Sequence, residues 1–269
     1  MKSFPVFFCA LLLVFTSLPV HSIFLTDASS SFSQQFQTTS VRSLITDAVI
    51  VPDSDPFFGI LGSSAACWYD KETNTSLLLP FLVQENGMLT EAQQRFFDTV
   101  LSPTNRSLLV LGNHLNTSYP CEEILGTPPT VGVTLSLQMF TQASAILILP
   151  FGTEDAYELG LHASPIASYL NIPLLFYDQN DAAIQAVCSQ LHVTQAYLVG
   201  EISVDLSNVT IIRLQDVGEI TDMTLSIIKD DFGRIDYLTM ANPADAIPPS
   251  VITTTNITIS DHIMNKKII

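Results

Sequence analysis

Asp155, Glu158 and His162 lie in the stretch TEDAYELGLH at a spacing of i, i+3 and i+7, which sets the three on one helix face. They come just after the apolar run Ala145–Pro150, AILILP. In open α/β sheets the ends of strands are where ligands collect. Two carboxylates and an imidazole at such a place offer ligand contacts or acid–base chemistry. A plainer reading stands beside that one: acidic residues favour a helix N-terminus through its dipole, and Glu158 with His162 is an ordinary surface pair. The matching place earlier in the chain holds Phe57, Phe58 and Leu61. Gly62-Ser63-Ser64-Ala65-Ala66 approximates a nucleophile elbow, but its fifth residue is Ala and no Asp…His order follows. Ser64 therefore reads as a packing or capping residue, and no catalytic residue is assigned. Gly152 and Gly160 lack the spacing of a phosphate loop. Nothing in the Cys and His pattern suits zinc, so no metal and no cofactor are expected.

The elements that must position these residues run from Ser144 to Gly200. AILIL, IPLLFY and AYLVG alternate with two helical patterns, which argues for βαβ units and a parallel sheet covered on both faces. Earlier in the chain, DAVIVP, LLLPFLV and LLVLG read as strands. The segment DSDPFFGILGSSAACWYD reads as a closely packed helix, and LTEAQQRFFDTV as an amphipathic helix with Thr90 at its N-cap. A polar loop precedes a further helix at Val131–Thr141. Pro165 falls inside the first helical pattern after AILILP, where a kink or a new turn is expected.

The ends of the chain bear on where it works. MKSFPVFFCALLLVFTSLPVHS has a positive start, an apolar core and modest residues at its close, the layout of a secretory signal. The apolar run is short for a membrane span; the alternative is an uncleaved anchor. Residues 23–43 are rich in Ser, Gln and Thr and read as a mobile leader. Sequons at Asn74, Asn105, Asn116, Asn208 and Asn256 are glycosylation candidates in an exported chain. With Cys9 in the signal, Cys67, Cys121 and Cys188 remain. Cys188 falls on the apolar face of a helical pattern, so Cys67–Cys121 is the candidate disulfide. The chain carries 10 basic and 26 acidic residues, net −16, which argues against nucleic acid as a partner.

Two stretches of the chain align in order. DAVIVP matches AILILP, Ser64 matches Ser164, Tyr69 matches Tyr169, Pro80 matches Pro173, Gly112 matches Gly200, and VTLSL at Val133 matches MTLSI at Met223. An internal repeat is the reading, with unit 1 at residues 44–142, unit 2 at 143–231, and an incomplete third unit with a tail at 232–269, opening on Asp236–Asp245. The largest aromatics of unit 1, Phe57-Phe58 and Trp68-Tyr69, belong to its core, to a pocket or to a contact between units.

Asp155-Ala156, Ala163-Ser164-Pro165-Ile166-Ala167, Ile172-Pro173-Leu174-Leu175 and Tyr197-Leu198-Val199-Gly200 together resemble the cell wall-binding repeat 2 family of secreted surface proteins. The match covers unit 2 well, unit 1 more loosely and unit 3 at its opening. The resemblance implies tandem Rossmann-like, Toprim-like three-layer α/β units with mainly parallel sheets. It also implies a non-catalytic anchor that holds other domains on anionic wall polymers, an envelope polymer or other surface proteins being the partners expected, with self-association through the units. This chain departs from the family in its acidity, which argues against a polyanion as its ligand, in its incomplete third unit and in lacking an effector domain. Two alternatives stay open: a secreted solute-binding module, and a hydrolase using Asp155, Glu158 and His162. If the leader is a cleaved signal, mass spectrometry of the exported protein will find a mature N-terminus near Ile23. An intact Met1 in a cytosolic pool overturns that.

Overall fold

Runs of buried β-branched and leucine side chains become strands covered on both faces, and they set the architecture of the computed structural model, which describes residues 38–42, 46–101 and 107–235. The first part of the chain supplies β1 (Ser40–Arg42), β2 (Ala48–Pro52), α1 (Phe57–Ala66), β3 (Cys67–Asp70), β4 (Thr75–Leu78) and β5 (Phe81–Gln84). Then come α2 (Glu91–Phe96), which runs on into a π-helical turn at Phe97–Leu101, β6 (Leu108–Gly112), β7 (Cys121–Leu125) and α3 (Pro128–Met139). The second part supplies β8 (Phe140–Ala143), β9 (Ala145–Pro150), α4 (Ala156–Leu170), β10 (Leu174–Tyr177), α5 (Asp181–Leu191), β11 (Gln195–Val199), β12 (Thr210–Leu214) and α6 (Val217–Phe232). The fold is α/β with parallel sheets.

Two four-stranded sheets have the same strand order. One is β5-β2-β6-β7, the other β10-β9-β11-β12, and every pairing in both is parallel. The registers agree as well. Ile50 lies opposite Leu82 and Val110, as Ile148 lies opposite Leu175 and Leu198. Gly112 and Gly200 close the third strands at φ +84° and +70°, and each is pressed by the first helix of its half. A Cβ at Gly112 would fall 2.7 Å from Phe58 Cζ, and one at Gly200 3.0 Å from Leu159 Cδ1. Positive φ and close contact together require glycine at both places.

The two sheets share one core. In β2, Val49 and Val51 face that core, while Ala48 and Ile50 face a smaller cluster with Leu89, Phe97 and Leu115, as the two-residue period of a strand requires. Helices α1 and α4 pack on each other, and a Cβ at Gly160 would meet Ile60 Cδ1 at 2.8 Å. Helix α3, which ends the first half, lies on β10 and α5 of the second. Phe57 reaches the second half directly, with ring centroids 4.9 Å from Phe151, 5.7 Å from Tyr157 and 5.2 Å from Phe176. It therefore belongs to the seam between halves, while Phe58 is buried in the shared core.

Several expectations change. Part of the segment read as a mobile leader is ordered: β1 pairs antiparallel with β8. The helix read through DSDPFFGILGSSAACWYD stops at Ala66, and Cys67–Asp70 turns back as a hairpin with β4. Asp70 drives the turn by accepting the amides of Glu72 and Thr73 at 3.0 and 3.3 Å. The supposed single strand LLLPFLV is split by Pro80 into β4 and β5, since proline cannot donate to a ladder. The polar loop after β6 contains β7. Pro165 neither breaks nor ends α4. It removes the amide that would bond the Leu161 carbonyl, and the Ser164 hydroxyl donates to that carbonyl at 3.3 Å. Thr90 does cap α2, in a reciprocal capping box with Gln93. The signal, the start of the leader and Asp236–Asp245 lie outside the described residues.

Arg42, on β1, ties the halves together. Its Nε donates to Asn171 Oδ1 at 2.6 Å, and its Nη2 and Nη1 donate to the Ser64 and Ala65 carbonyls at 3.1 and 3.4 Å. Asn171 is the left-handed C-cap of α4, and Ser64 and Ala65 stand in the last turn of α1. One guanidinium thus meets the C-terminal ends of both first helices, where cations are favoured. It also lies 4.0 Å from the Trp68 ring centroid and 4.9 Å from that of Phe140. Burial pushes the Arg42 pKa down to about 9, with Cys67 opposing the shift, so the group is charged at neutral pH. Arg42→Ala is expected to lower stability by about 2–4 kcal/mol, through three lost charge-assisted bonds and lost stacking. Arg42→Lys, lacking the planar fork, will recover less than half of the loss in urea melts. An Arg42→Ala protein that melts like the wild type removes this role.

Candidate functional site

The C-terminal ends of the parallel strands are the natural place for chemistry in such sheets, at the point where successive connections run in opposite directions. In the first sheet that point lies between β2 and β6, and in the second between β9 and β11. The residues there are mostly engaged with one another. Asn113 Nδ2 donates to Ser54 Oγ at 3.3 Å, joining the loops after β6 and β2. Gln84, fully buried at the end of β5, donates Nε2 to the Asn113 carbonyl at 3.1 Å, and its Oε1 has no partner among the described residues. Asp55 Oδ1 accepts the Phe57 amide at 2.9 Å and so sets the start of α1.

In the second sheet the same place holds Asp155, the N-cap residue of α4, with Glu158 and His162 on the helix that follows. Asp155 and Glu158 are exposed, and His162 is half-buried. Asp155 makes no cap bond to the helix; its Oδ1 accepts the Thr153 hydroxyl at 3.0 Å. Among the described residues no three His, Cys, Asp or Glu side chains converge on a metal position. Sequence places these three on one helix face, and the structure finds them at the N-cap and along the first turns of α4. Ser64 is committed too: its hydroxyl donates to the Leu61 carbonyl at 2.9 Å. Ser164 makes the matching bond to Leu161 in α4.

Two charged residues that the sequence reading passed over hold the strand-end loops. Glu123 on β7 lies opposite Val110, and Arg213 on β12 lies opposite Leu198, so they occupy matching positions in the two fourth strands. Glu123 Oε1 accepts the Leu115 amide at 3.0 Å, and its Oε2 meets His114 Nδ1 at 2.8 Å. Arg213 Nη1 donates to the Ile202 carbonyl at 2.7 Å. Each fastens the loop after the third strand to the fourth strand. The charges are opposite because one loop offers an amide and the other a carbonyl. The Leu115 amide, then His114, hold the Glu123 carboxyl below its ordinary range.

Cys67 and Cys121 do not form the anticipated disulfide; both thiols are free and exposed. Cys67 opens the β3–β4 hairpin, whereas Cys121 opens β7 at an edge of the first sheet, with Sγ 3.9 Å from Glu123 Oε1. Cys188 is buried, and burial pushes its thiol up to about 11. The sequon residues Asn74, Asn116 and Asn208 are exposed on turns and loops, while Asn105 and Asn256 lie outside the described residues. Among the described residues no helix is long and apolar enough to cross a membrane. No family model matches the chain, and no curated protein matches it.

A group whose folded pKa is depressed stabilises the fold above its unfolded pKa and loses that contribution as pH falls through the folded one. Glu123→Gln is therefore expected to be less stable than wild type at neutral pH, with the gap closing as pH drops below the ordinary carboxylate range. Thermal melts from pH 7 to pH 3 test this. A gap that is constant with pH would show that the Glu123 charge plays no part.

Proposed function

We propose that this is an exported, non-enzymatic surface protein made of repeated Rossmann-like α/β units similar to the cell wall-binding repeat 2 family, and that it binds an envelope polymer or neighbouring surface proteins. The observation that carries the reading is the shared strand order of the two sheets with its matched details. Ser64 and Ser164 make the same helix bond, and Tyr69 and Tyr169 both face Phe232, at 4.8 and 6.3 Å between centroids. Gly112 and Gly200 close equivalent strands in the same way. Similar folds do not imply similar functions, so the functional part rests on how the strand ends are used. There, Asp55, Asn113, Glu123 and Arg213 hold loops, and Phe57 with Phe151 and Phe176 seals the seam between halves. Groups spent in this way suit a rigid module that presents a surface. The apolar leader and the exposed sequons fit export.

Co-sedimentation of the purified mature protein with envelope material from its source is the test. The protein is expected in the pellet, and Asp155→Asn is expected to pellet equally. Asp155-dependent turnover of ester or glycoside substrates by a protein that stays in the supernatant would replace this reading with the hydrolase. A thermal shift given by one small solute, without pelleting, would replace it with a solute-binding module.

A further inference from the structure

Beside the smaller core cluster, the helix α2, its π-helical extension and the loop after β6 enclose an open recess lined by Gln94, Asp98, Asn116, Ser118 and Tyr119 over Leu89. Its polar groups are of mixed kind and partly uncommitted. Asp98 Oδ1 accepts the Tyr119 hydroxyl, and its second carboxylate oxygen makes no hydrogen bond among the described residues. Gln94 donates Nε2 to the Leu89 carbonyl at 3.2 Å and keeps Oε1 as an acceptor. The Asn116 side chain and the Ser118 hydroxyl make no hydrogen bond among the described residues. The Tyr119 ring is braced by the buried Phe97, 5.4 Å away between centroids, so it offers a fixed aromatic edge. Asp98 sits in the π-helical turn Phe97–Leu101, a geometry that recurs at functional sites.

We infer that this recess binds a neutral saccharide. The lining selects that class. Among the described residues no Lys, Arg or His lines it, and the chain is strongly acidic, so a phosphate, sulfate or uronate is disfavoured there. One carboxylate without further acidic or imidazole ligands does not hold a metal ion. An apolar ligand would strand the amide, hydroxyl and carboxylate groups without partners. A sugar face supplies hydroxyls that both donate and accept, and its C–H groups suit an aromatic edge. The inference rests on the reading of the chain as a polymer-binding surface protein, and it makes that polymer uncharged. Because Asn116-Thr117-Ser118 is itself a sequon, the saccharide has two sources: a foreign glycan, or the chain's own glycan at Asn116.

Calorimetric titration of the mature protein with tetrasaccharides of N-acetylglucosamine, glucose and mannose, and with tetragalacturonate, tests the assignment. At least one neutral tetrasaccharide is expected to bind and tetragalacturonate is not. Asp98→Asn is expected to weaken binding about tenfold or more, as loss of a bond to a charged group implies. Ser118→Arg, which fills the recess from an exposed position, is expected to abolish it, with melts showing both variants folded. Repeating the titrations with enzymatically deglycosylated samples separates the sources. Binding that appears only in these samples means that the native glycan fills the recess. Equal binding of tetragalacturonate, unchanged affinity in both variants, or no neutral ligand in any sample overturns the assignment. Full co-sedimentation of Ser118→Arg with envelope material overturns the recess and leaves the surface reading intact. Ser118-dependent binding of a soluble saccharide without co-sedimentation does the reverse.

Discussion

A single guanidinium closes two helices. Arg42 arrives on a three-residue strand and meets the last carbonyls of α1 and the capping Asn171 of α4. Those two helices form one of the contacts between the halves, with Gly160 letting Ile60 come close. Helix ends leave carbonyls without partners, and burying them bare is costly. One charged, planar donor group satisfies three oxygens at once, and the rings of Trp68 and Phe140 cover it. Helix pair, hairpin and β1–β8 ribbon are thereby fixed to one point.

From that point outward, the halves solve the same problems with different residues. The first helix of each half presses on a glycine at the end of the third strand, through Phe58 in one and Leu159 in the other. A charged side chain on each fourth strand fastens the neighbouring loop, as Glu123 in one and Arg213 in the other. Packing fixes where such a group must stand. The local backbone fixes its sign. Charge at these positions is therefore explained by loop geometry before any ligand is invoked.

The sequence made the central strands legible because they are covered on both faces. AVIVP, LLVLG, AILILP and QAYLV are near-continuous apolar runs, and they are buried almost throughout. The edge strands β7 and β12 were hidden for the opposite reason. CEEIL and TIIRL are half-exposed and carry charge, so the first reads as part of a polar loop and the second gives no continuous apolar run. Strand β1 has no signal of its own, since its place comes from a partner about a hundred residues away in β8 and from its arginine. The hairpin was legible in principle, because Asp70 through Asn74 is turn-forming and Asn74 takes φ +51°. Asp155, Glu158 and His162 were easy to find on one helix. The recess beside Tyr119 was not, because its residues come from two segments that the first sheet brings together.

Helix α3 belongs to the first half by sequence and lies over the second by position. A chain made from its N-terminus completes β2, β5, β6 and β7 before β10 has been synthesised. Throughout that interval the helix has apolar residues such as Val131, Leu135 and Met139 and no sheet from the second half to lay them on. Domains ordinarily mature as independent units in the order of synthesis. Here α3 rests on the first half through α1, β6 and β7 but lacks its seat on β10 and α5 until the later half is made, so a nascent chain stalled between them leaves part of that helix uncovered.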